Sequence, residues 1–542
     1  MSGLLRANLV VASGTALSRL TGLARVVVFA YVVGQTALAD AYKLANETPN
    51  IVYDLLLGGV LSATLVPVLS SLIVSDDSHG EHWDPGSRRS IDAVVTMVVV
   101  ASAAVTALAI VAAPWIFGLY SLTPATTVDA EVFRSAGTAL TRLFALQILF
   151  YGVTGVMNAV LNARRRFAAA AWSPVAANLV VIGSLLTLPG VGETRWGIED
   201  VSGDERLRWT LGLGTTLGVA VMAMIVVVAA VRGGLSFRPR WAPRDPAVRR
   251  VARMGGWTLG FVVANQVALV VIRNLAEPGS SLASAYVDAF VFFVLPHGLL
   301  AVSISTTLQP ELARAVAASD RVAFARRMSF GVRAIVALTA PAAATLIALA
   351  PLVISTLMER GVFDAAATDN TASALRGLAI GLVGFSVYLF TLRGFYAHDD
   401  TRTPFWLNVG ENLLNIVLAV ALVGPLGVFG LGLALGVAYL VSAVVALIVL
   451  DRRHGHRIAV SVARPVISLV SAGLVALVVM SVLTALADDQ ERGTVGSILV
   501  IGVVGTAGLI VYGATALVLR VEGSATILQR IRTAAGPDRR GE

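Results

Sequence analysis

Apolar runs long enough to cross a lipid bilayer recur along almost the whole chain, and this feature constrains the fold more than any other. A membrane-spanning helix needs about 20 mainly apolar residues. Of the 542 residues, 56% are hydrophobic and only 14% are charged, and the mean hydropathy is +0.80. A water-soluble domain carries about a quarter charged residues, so this much apolar surface cannot be hidden in a soluble core. The sequence therefore predicts an all-α polytopic membrane protein.

Windows of about 20 apolar residues, bounded by charged residues, glycine or proline, predict about fourteen transmembrane helices. The predicted spans lie near 8–34, 50–74, 91–118, 134–162, 167–189, 209–231, 251–275, 283–308, 329–357, 371–396, 404–423, 426–450, 461–486 and 495–520. The first span is longer than the apolar core of a signal peptide and carries arginines, so we expect it to be retained. An even number of spans places both termini on the same side of the membrane.

The positions of the basic residues decide which side that is. Lys and Arg near the ends of spans favour the cytoplasm, and with the amino terminus inside, 29 of the 41 basic residues fall in inside segments, nine in outside segments and three within spans. Both termini are therefore predicted to be cytoplasmic. We assign the net charge of +8 to topology and to anionic lipid headgroups, and predict no nucleic-acid partner.

Two pairs of similar segments indicate an internal repeat. Residues 161–178 resemble residues 395–412, and residues 64–69 resemble residues 307–312. Six predicted spans separate the equivalent segments, so the repeats have the same orientation, and two such lobes around a cleft are typical of alternating-access transporters. The predicted organisation is an amino-terminal lobe of six helices (1–231), a carboxy-terminal lobe of six helices (232–450), two additional helices (451–520) and a short cytoplasmic tail (521–542).

Two arginines fall inside the first predicted span. A charge at the centre of a bilayer costs about 2.5 kcal/mol or more, and such residues usually face a bundle interior or an aqueous cavity. Arg19 and Arg25 are six positions apart and therefore about 120° apart around the helix. The guanidinium group suits phosphate because it donates two parallel hydrogen bonds. The pattern predicts an anion site, and the alternative is that one or both snorkel or pair with a carboxylate such as Asp54.

Other polar groups have more than one interpretation. Asp40, Lys43 and Glu47 fall in the first outside connection, where a solvated loop is expected. Glu411, Asn412 and Asn415 lie within about one turn, deep in a predicted span, and their oxygens suit a sodium or proton site. Hydrogen bonds between packed helices would explain the same three residues.

The sequence carries no pattern typical of an enzyme. It has no cysteine, and its six histidines show no metal-ligand spacing, so neither a metal site nor a cofactor is predicted. The paired acids at 76–77, 399–400 and 488–489 could suggest a glycosyltransferase. We interpret the second pair as part of a helix start, with Thr403 as the N-cap and Pro404 as the first helical residue.

Several motifs occur in an order that resembles the MurJ/MviN family of lipid II flippases, over nearly the whole chain. The motifs are Ser18–Arg25, Ala39–Ala41 with Pro49-Asn50, Leu161–Arg164 with Arg166-Phe167, Glu359–Phe363, and Phe395–Ala397 with Asp400–Pro404.

This resemblance implies a fold, a substrate and a location. The fold is that of the multidrug/oligosaccharidyl-lipid/polysaccharide exporter superfamily, with fourteen helices and a V-shaped cationic cavity between two lobes. Helices 13 and 14 would form a groove for the polyprenyl tail of lipid II, while the headgroup crosses by alternating access. The location would be the bacterial cytoplasmic membrane, with membrane lipids and cell-wall synthesis proteins as further partners.

The resemblance also implies roles for particular residues. Arg19, Arg25 and Asp40 match positions that the family uses in its cavity and first gate. The chain departs from the family at Ile51–Asp54 and at Tyr286–Ala289, where the best-studied branch has further cavity arginines. Arg142 and Arg273 are the candidates to replace those charges.

We therefore predict a non-enzymatic flippase that carries lipid II to the outer leaflet, with Arg19 and Arg25 on its diphosphate. A flippase for another polyprenyl-diphosphate glycan would share this chemistry. A multidrug/cation antiporter would need cavity carboxylates rather than arginines. Coupling to sodium, to a proton gradient or to the membrane potential is left open.

Overall fold

The computed structural model describes residues 2–53, 73–76, 80–83, 85–164, 166–455, 457–487 and 493–519. The first part of this chain folds into α1 (Ser2–Val33), α2 (Ala37–Tyr53), β1 (Ile73–Asp76), β2 (Gly80–Trp83), α3 (Pro85–Tyr120), α4 (Ala130–Ala163), α5 (Ala168–Leu185), α6 (Asp200–Gly203), α7 (Glu205–Arg232) and α8 (Pro246–Leu275). It continues with α9 (Leu282–Pro296), a π-helical turn (His297–Ala301), α10 (Val302–Ala317), α11 (Arg321–Met358), α12 (Ala365–Ile380), α13 (Leu382–Ala397), α14 (Arg402–His454), α15 (Ile458–Leu486) and α16 (Thr494–Val518).

The helical architecture follows from the solvent. A helix pairs its backbone N–H and C=O groups in hydrogen bonds within its own segment. Lipid offers these groups no other hydrogen-bond partner. Among the described residues, ten helices are long and apolar enough to cross a membrane, or eleven if the bent pair α12 and α13 is one span. The prediction of an all-α polytopic membrane protein is confirmed. The described residues include one exception, the small antiparallel hairpin β1–β2, whose first strand begins inside the span predicted at 50–74.

The difference between eleven spans and the predicted fourteen has three sources. Residues 54–72, which hold most of the second predicted span, lie outside the described residues. The apolar part of α8, residues 262–275, is shorter than a full span. The helix α14 covers two predicted spans in 53 residues, with one non-helical residue at Gly427. The count of fourteen and the cytoplasmic location of both termini stay predictions.

The described chain divides into two compact units. Unit 1 contains Met1–Val287 and Met358–Ala367, and unit 2 contains Asp288–Leu357 and Thr368–Glu542. This division follows contacts and not the internal repeat, so the predicted lobes of 1–231 and 232–450 stay predictions.

Each unit has its own hydrophobic core. In unit 1, the aromatic side chains Phe117, Phe133 and Phe144 are fully buried and belong to a cluster that joins the helices α1 to α7. In unit 2, a larger cluster around Met328 and Phe390 joins α10, α11, α13, α14, α15 and α16. The pair α15–α16 therefore packs on the core of unit 2.

Two local predictions are wrong. The connection containing Asp40 and Glu47 is not a solvated loop but helix α2. The helix α14 begins at Arg402, so Thr403 and Pro404 lie inside it. Its first turn is capped by Asp400, whose carboxylate accepts hydrogen bonds from the Arg402 amide, the Thr403 amide and the Thr403 hydroxyl.

Candidate functional site

The two arginines of α1 are present on a membrane-spanning helix without carboxylate partners in the described part of the chain. Arg19 is exposed and Arg25 is half-buried, and only 22% of the most apolar 18-residue window of the span Ser13–Val33 is buried. Neither forms an ion pair with a described residue. Asp54, the alternative partner, lies outside the described residues. Because a guanidinium group stays charged, α1 carries two positive charges that suit an anion.

The hydroxyl groups of α1 are used within the helix. Ser13, Thr15 and Thr21 each donate to a carbonyl three or four residues earlier. On α5, Asn178 donates to the Ser18 carbonyl at 3.3 Å and to the Thr21 hydroxyl at 3.1 Å, which fixes α1 against α5. The guanidinium groups of Arg19 and Arg25 are charged donors and are therefore stronger anion ligands than these hydroxyl groups.

Asp40, on α2, is fully buried and caps another helix. One carboxylate oxygen accepts from the Gly279 and Ser281 amides at 2.9 and 3.0 Å, and the other accepts from the Ser284 amide at 2.7 Å. These amides lie at and just before the start of α9, where backbone N–H groups have no partner within the helix. A carboxylate there also interacts favourably with the helix dipole. A substrate role for Asp40 stays a prediction, and both of its oxygens are already occupied.

Arg273, one of the two candidates to replace the family's cavity arginines, is paired. On α8 its Nε donates to Glu47 at 3.1 Å, and a terminal nitrogen forms an ion pair with the same carboxylate oxygen. The side chains are only 8% and 16% exposed, and the guanidinium lies 5.7 Å from the ring centre of Tyr286. Arg142, the other candidate, is exposed on α4 and has no described ion-pair partner. Of the two, Arg142 is therefore better placed to offer an uncompensated charge.

The helix α2 brings together charged residues that the sequence placed in a loop. Asp40 and Lys43 both reach Ser284, since the Lys43 ammonium donates to its carbonyl at 3.4 Å. Tyr42, between Asp40 and Lys43 on α2, packs against Phe29 of α1 with the ring centres 4.6 Å apart. The spacing offered a signal that we missed. Positions 40, 43 and 47 are three and four residues apart, which is the repeat of one helix face.

A second polar site lies in unit 2, along one face of α14. Asn408, Glu411 and Asn415 are 4%, 2% and 4% exposed. Oε1 of Glu411 and Oδ1 of Asn415 are buried and have no hydrogen-bond partner in the described chain, and the same is true of the Tyr388 hydroxyl. Tyr388 lies on α13, which packs against α14. A buried oxygen without a partner is costly, so this arrangement suits a bound cation, a proton or water.

The structure changes the membership of this predicted cluster. Glu411 and Asn415 lie on the buried face, whereas Asn412 is half-buried and its side chain donates to the Asn408 carbonyl of its own helix at 2.9 Å. Asn408 is on the buried face and was missed, although its distance of three residues from Glu411 pointed to it. Tyr388 was missed because it lies on another helix, and sequence spacing does not reveal which helices pack together.

Comparison with protein families gives a match over most of the chain. The model of the family described as lipid II flippase MurJ matches residues 29–504. A lipid II flippase MurJ from Burkholderia cenocepacia is 28% identical over 477 residues, which cover 87% of this chain and 88% of that protein. A probable lipid II flippase MurJ from Haemophilus influenzae is 30% identical over 423 residues, covering 74% and 79%.

Comparison with solved structures shows the same fold. A lipid II flippase MurJ in an inward closed conformation superposes with a TM-score of 0.74 at 19% identity, covering 97% of this chain and all of that one. An inward-facing multidrug transporter of the MATE family and MOP superfamily gives a TM-score of 0.64 at 14% identity, covering 82% and 98%. At such identities the likeness concerns the fold alone.

Proposed function

The chain belongs to the MurJ family of lipid II flippases, and on this basis we propose that it carries lipid II from the cytoplasmic to the outer leaflet of the bacterial cytoplasmic membrane. Its apolar helices make it a multi-pass membrane protein. The transport would proceed by alternating access and without covalent chemistry. Lipid II is the substrate, and cell-wall synthesis proteins are the partners that we propose in addition.

We propose that Arg19 and Arg25 contact the diphosphate of lipid II. The observation that supports this role is that both lie on a membrane-spanning helix without a carboxylate partner in the described chain. An unpaired charge in a bilayer is costly unless it faces a cavity or a ligand, and arginine matches phosphate geometrically. Arg142 would add a third charge, whereas Arg273 would act through its pair with Glu47.

The test is depletion of the protein in its host, followed by an assay of lipid II exposed on the outer face. Wild type or an Arg19→Ala, Arg25→Ala double variant is then resupplied. We expect only wild type to restore exposure. An Arg208→Ala variant is the matched control, because Arg208 pairs with Glu205 at the surface and should restore exposure fully.

Two results would contradict the proposal at different levels. If lipid II exposure persists after depletion while another surface glycan disappears, the substrate is that other polyprenyl-diphosphate glycan. If the double variant restores exposure as well as wild type does, lipid II is the substrate but the arginines do not bind it.

We also propose that the cluster on α14 couples transport to a sodium or proton gradient. The support is the set of buried oxygens without hydrogen-bond partners at Glu411, Asn415 and Tyr388. Carboxylate, amide and hydroxyl oxygens suit a hard cation, and a single carboxyl group suits a proton. The membrane potential alone remains the competing driving force.

The coupling proposal predicts that Glu411→Gln makes transport independent of the coupling ion, because the amide keeps the shape but removes the charge. Lipid II transport would be measured in proteoliposomes with imposed sodium, proton or potassium-diffusion gradients. Glu311→Gln is the matched control, since Glu311 is a half-exposed acid of unit 2 that pairs with Arg327. Unchanged ion dependence in Glu411→Gln would remove the cluster from the mechanism.

A further inference from the structure

The segment Met358–Ala367 belongs to unit 1, although both of its chain neighbours belong to unit 2. It joins the end of α11 at Met358 to the start of α12 at Ala365. We propose that this segment, the outer strap, is a releasable gate element that holds the transporter closed on its outer side, with the Arg195–Asp364 ion pair as its latch. The inference rests on the proposed transport function.

The backbone of the outer strap sits tightly in unit 1. The Val362 amide donates to the Tyr31 carbonyl at 3.4 Å. Gly34 has φ +73°, and a Cβ atom on it would lie 2.8 Å from the Val362 carbonyl oxygen. Gly361 has φ +61°, and a Cβ atom on it would lie 2.6 Å from the Tyr31 carbonyl oxygen. Val362 and Phe363 are only 6% and 1% exposed. The strap is therefore seated by close backbone packing and buried apolar side chains at the end of α1.

The latch, unlike the buried side chains of the strap, is an exposed ion pair. Arg195 donates to Asp364 at 3.0 Å, and the two side chains are 65% and 46% exposed. The other oxygen of Asp364 accepts from the Ala367 amide at 3.0 Å and so caps α12. This amide, together with Arg195, holds the pKa of Asp364 below its usual range, and the carboxylate stays charged at neutral pH. An exposed ion pair contributes little stability and is screened by salt, which suits a contact that must open repeatedly.

The loop that carries Arg195 reaches the same tyrosine. Gly192, at φ +80°, lies directly against the Tyr31 hydroxyl and ring. Tyr31 thus contacts the strap through its carbonyl and its ring, and contacts the 190–199 loop through its hydroxyl end. The two loops and the end of α1 form one continuous set of contacts.

The predicted topology identifies the side of the membrane on which this set lies. The end of the first span, the loop after the fifth and the loop after the ninth are all predicted to be outside. Three segments that are far apart in the sequence would therefore meet on one face. An alternating-access carrier must close that face while its other side is open. Only six residues separate α11 from α12, so the strap is short and cannot move without the helix ends that it joins.

The first test uses the absence of cysteine from the native chain. An Arg195→Cys, Asp364→Cys double variant is bridged in proteoliposomes with a short bis-methanethiosulfonate reagent, which thiols cleave. We expect the bridged protein to lose at least about nine-tenths of its lipid II transport and to regain it after reduction. The Arg195→Cys and Asp364→Cys single variants, treated in the same way, are the matched controls and should keep transporting.

The outcomes separate this inference from the proposed function. Full transport by the bridged protein would overturn the strap as a gate element. If wild type itself fails to transport lipid II, the proposed function is wrong, and the strap is then judged by the second test, which needs no substrate.

The second test measures opening directly. Val362→Cys places a thiol in the buried seat, and its rate of reaction with a membrane-impermeant maleimide reports release of the strap. Adding Asp364→Asn removes the charge but keeps an oxygen to cap α12. We expect the rate to rise about two- to fivefold, as an exposed ion pair allows, and 0.5 M salt to produce a similar rise without the second substitution. Equal rates in both variants and at both salt concentrations would overturn the latch.

Discussion

At the scale of single residues, the charged groups of unit 1 divide into those with partners and those without. Functional roles were predicted for Asp40 and Arg273, but both already have partners in the protein. Asp40 caps a helix, and Arg273 forms an ion pair with Glu47. Arg19 and Arg25 have no described carboxylate partner. A charge is available to a ligand only when the protein has not already compensated it, and this difference separates the two groups.

The buried pair of Arg273 and Glu47 gives a prediction about stability. Arg273→Met should reduce the free energy of unfolding by about 3–5 kcal/mol, because it leaves the Glu47 carboxylate buried and unpaired. The double variant Arg273→Met, Glu47→Leu should lose less than the single variant. Thermal unfolding of the purified protein in detergent measures both.

Transport by the same double variant then decides the role of Arg273. Near-wild-type transport of lipid II is expected if the residue is structural. A loss of transport in a stably folded double variant would instead identify Arg273 as a ligand of the substrate.

Asp400 gives a prediction about pH. Partial burial raises the pKa of this carboxyl group, but hydrogen bonds from Thr403 and the charge of Arg453 outweigh that effect, and the net pKa is lower than usual. The stabilisation is therefore complete above the unfolded pKa of about 3.9 and is lost as the pH falls through the lower folded pKa. Asp400→Ala should cost about 0.5–2 kcal/mol at pH 7.

Unfolding of wild type and Asp400→Ala at pH 7 and at pH 3 measures this effect. The difference in free energy between the two proteins should shrink at the lower pH. A difference that stays constant would show that the charge of Asp400 contributes nothing.

The sequence predicted a helix start between His398 and Pro404, but it assigned the cap to the wrong residue. Thr403 and Pro404 fit the preferences of the N-cap and of the first helical position, yet the helix begins at Arg402, one residue before Thr403. Asp400 reaches the free amides of the first turn from outside the helix. Preferences for single positions do not distinguish between two polar residues that can each cap the same turn.

At the scale of elements, the length of an apolar run predicted the presence of a helix reliably. The positions at which helices break were not predicted reliably. Most predicted spans correspond to long helices, because lipid leaves the backbone few alternatives. The boundary between the spans at 404–423 and 426–450 is instead a single residue within α14. Gly427 has φ 56° and ψ −140°, which is a conformation that residues with a Cβ atom rarely adopt.

Gly427→Ala should therefore destabilise the protein by about 1–3 kcal/mol through backbone strain. Gly424→Ala is a matched control, because a Cβ atom at either position has nothing within 4 Å and only Gly427 has a positive φ. Thermal unfolding of both variants in detergent compares them. Equal stability of the two variants would contradict the strain.

At the scale of the whole molecule, charge distribution predicts the orientation, and the natural absence of cysteine makes it testable. Glu193→Cys should react with an impermeant maleimide in intact cells, since the 190–199 loop is predicted to be outside. Arg240→Cys, in the exposed loop before α8, should react only after the membrane is permeabilised. The reverse pattern would invert the topology.

The sequence could not predict how distant segments combine. The internal repeat predicts two lobes with a boundary near residue 232, and this stays a prediction. The compact units of the structure divide after Val287, and unit 1 also includes the distant segment Met358–Ala367. Glu359–Phe363 was recognised as a motif, but its contact with Tyr31 joins residues more than 300 positions apart. Local patterns carry no information about such a pairing.

The seat of Val362 against Gly34 and Tyr31 has a consequence for evolution. Because the outer strap and the 190–199 loop both meet Tyr31, an insertion or deletion in one would move its contacts away from the other. The lengths of these two loops should therefore change together among homologues. A chimera that takes only one of the loops from a relative with a different length should lose the fit, and exchanging both together should restore it.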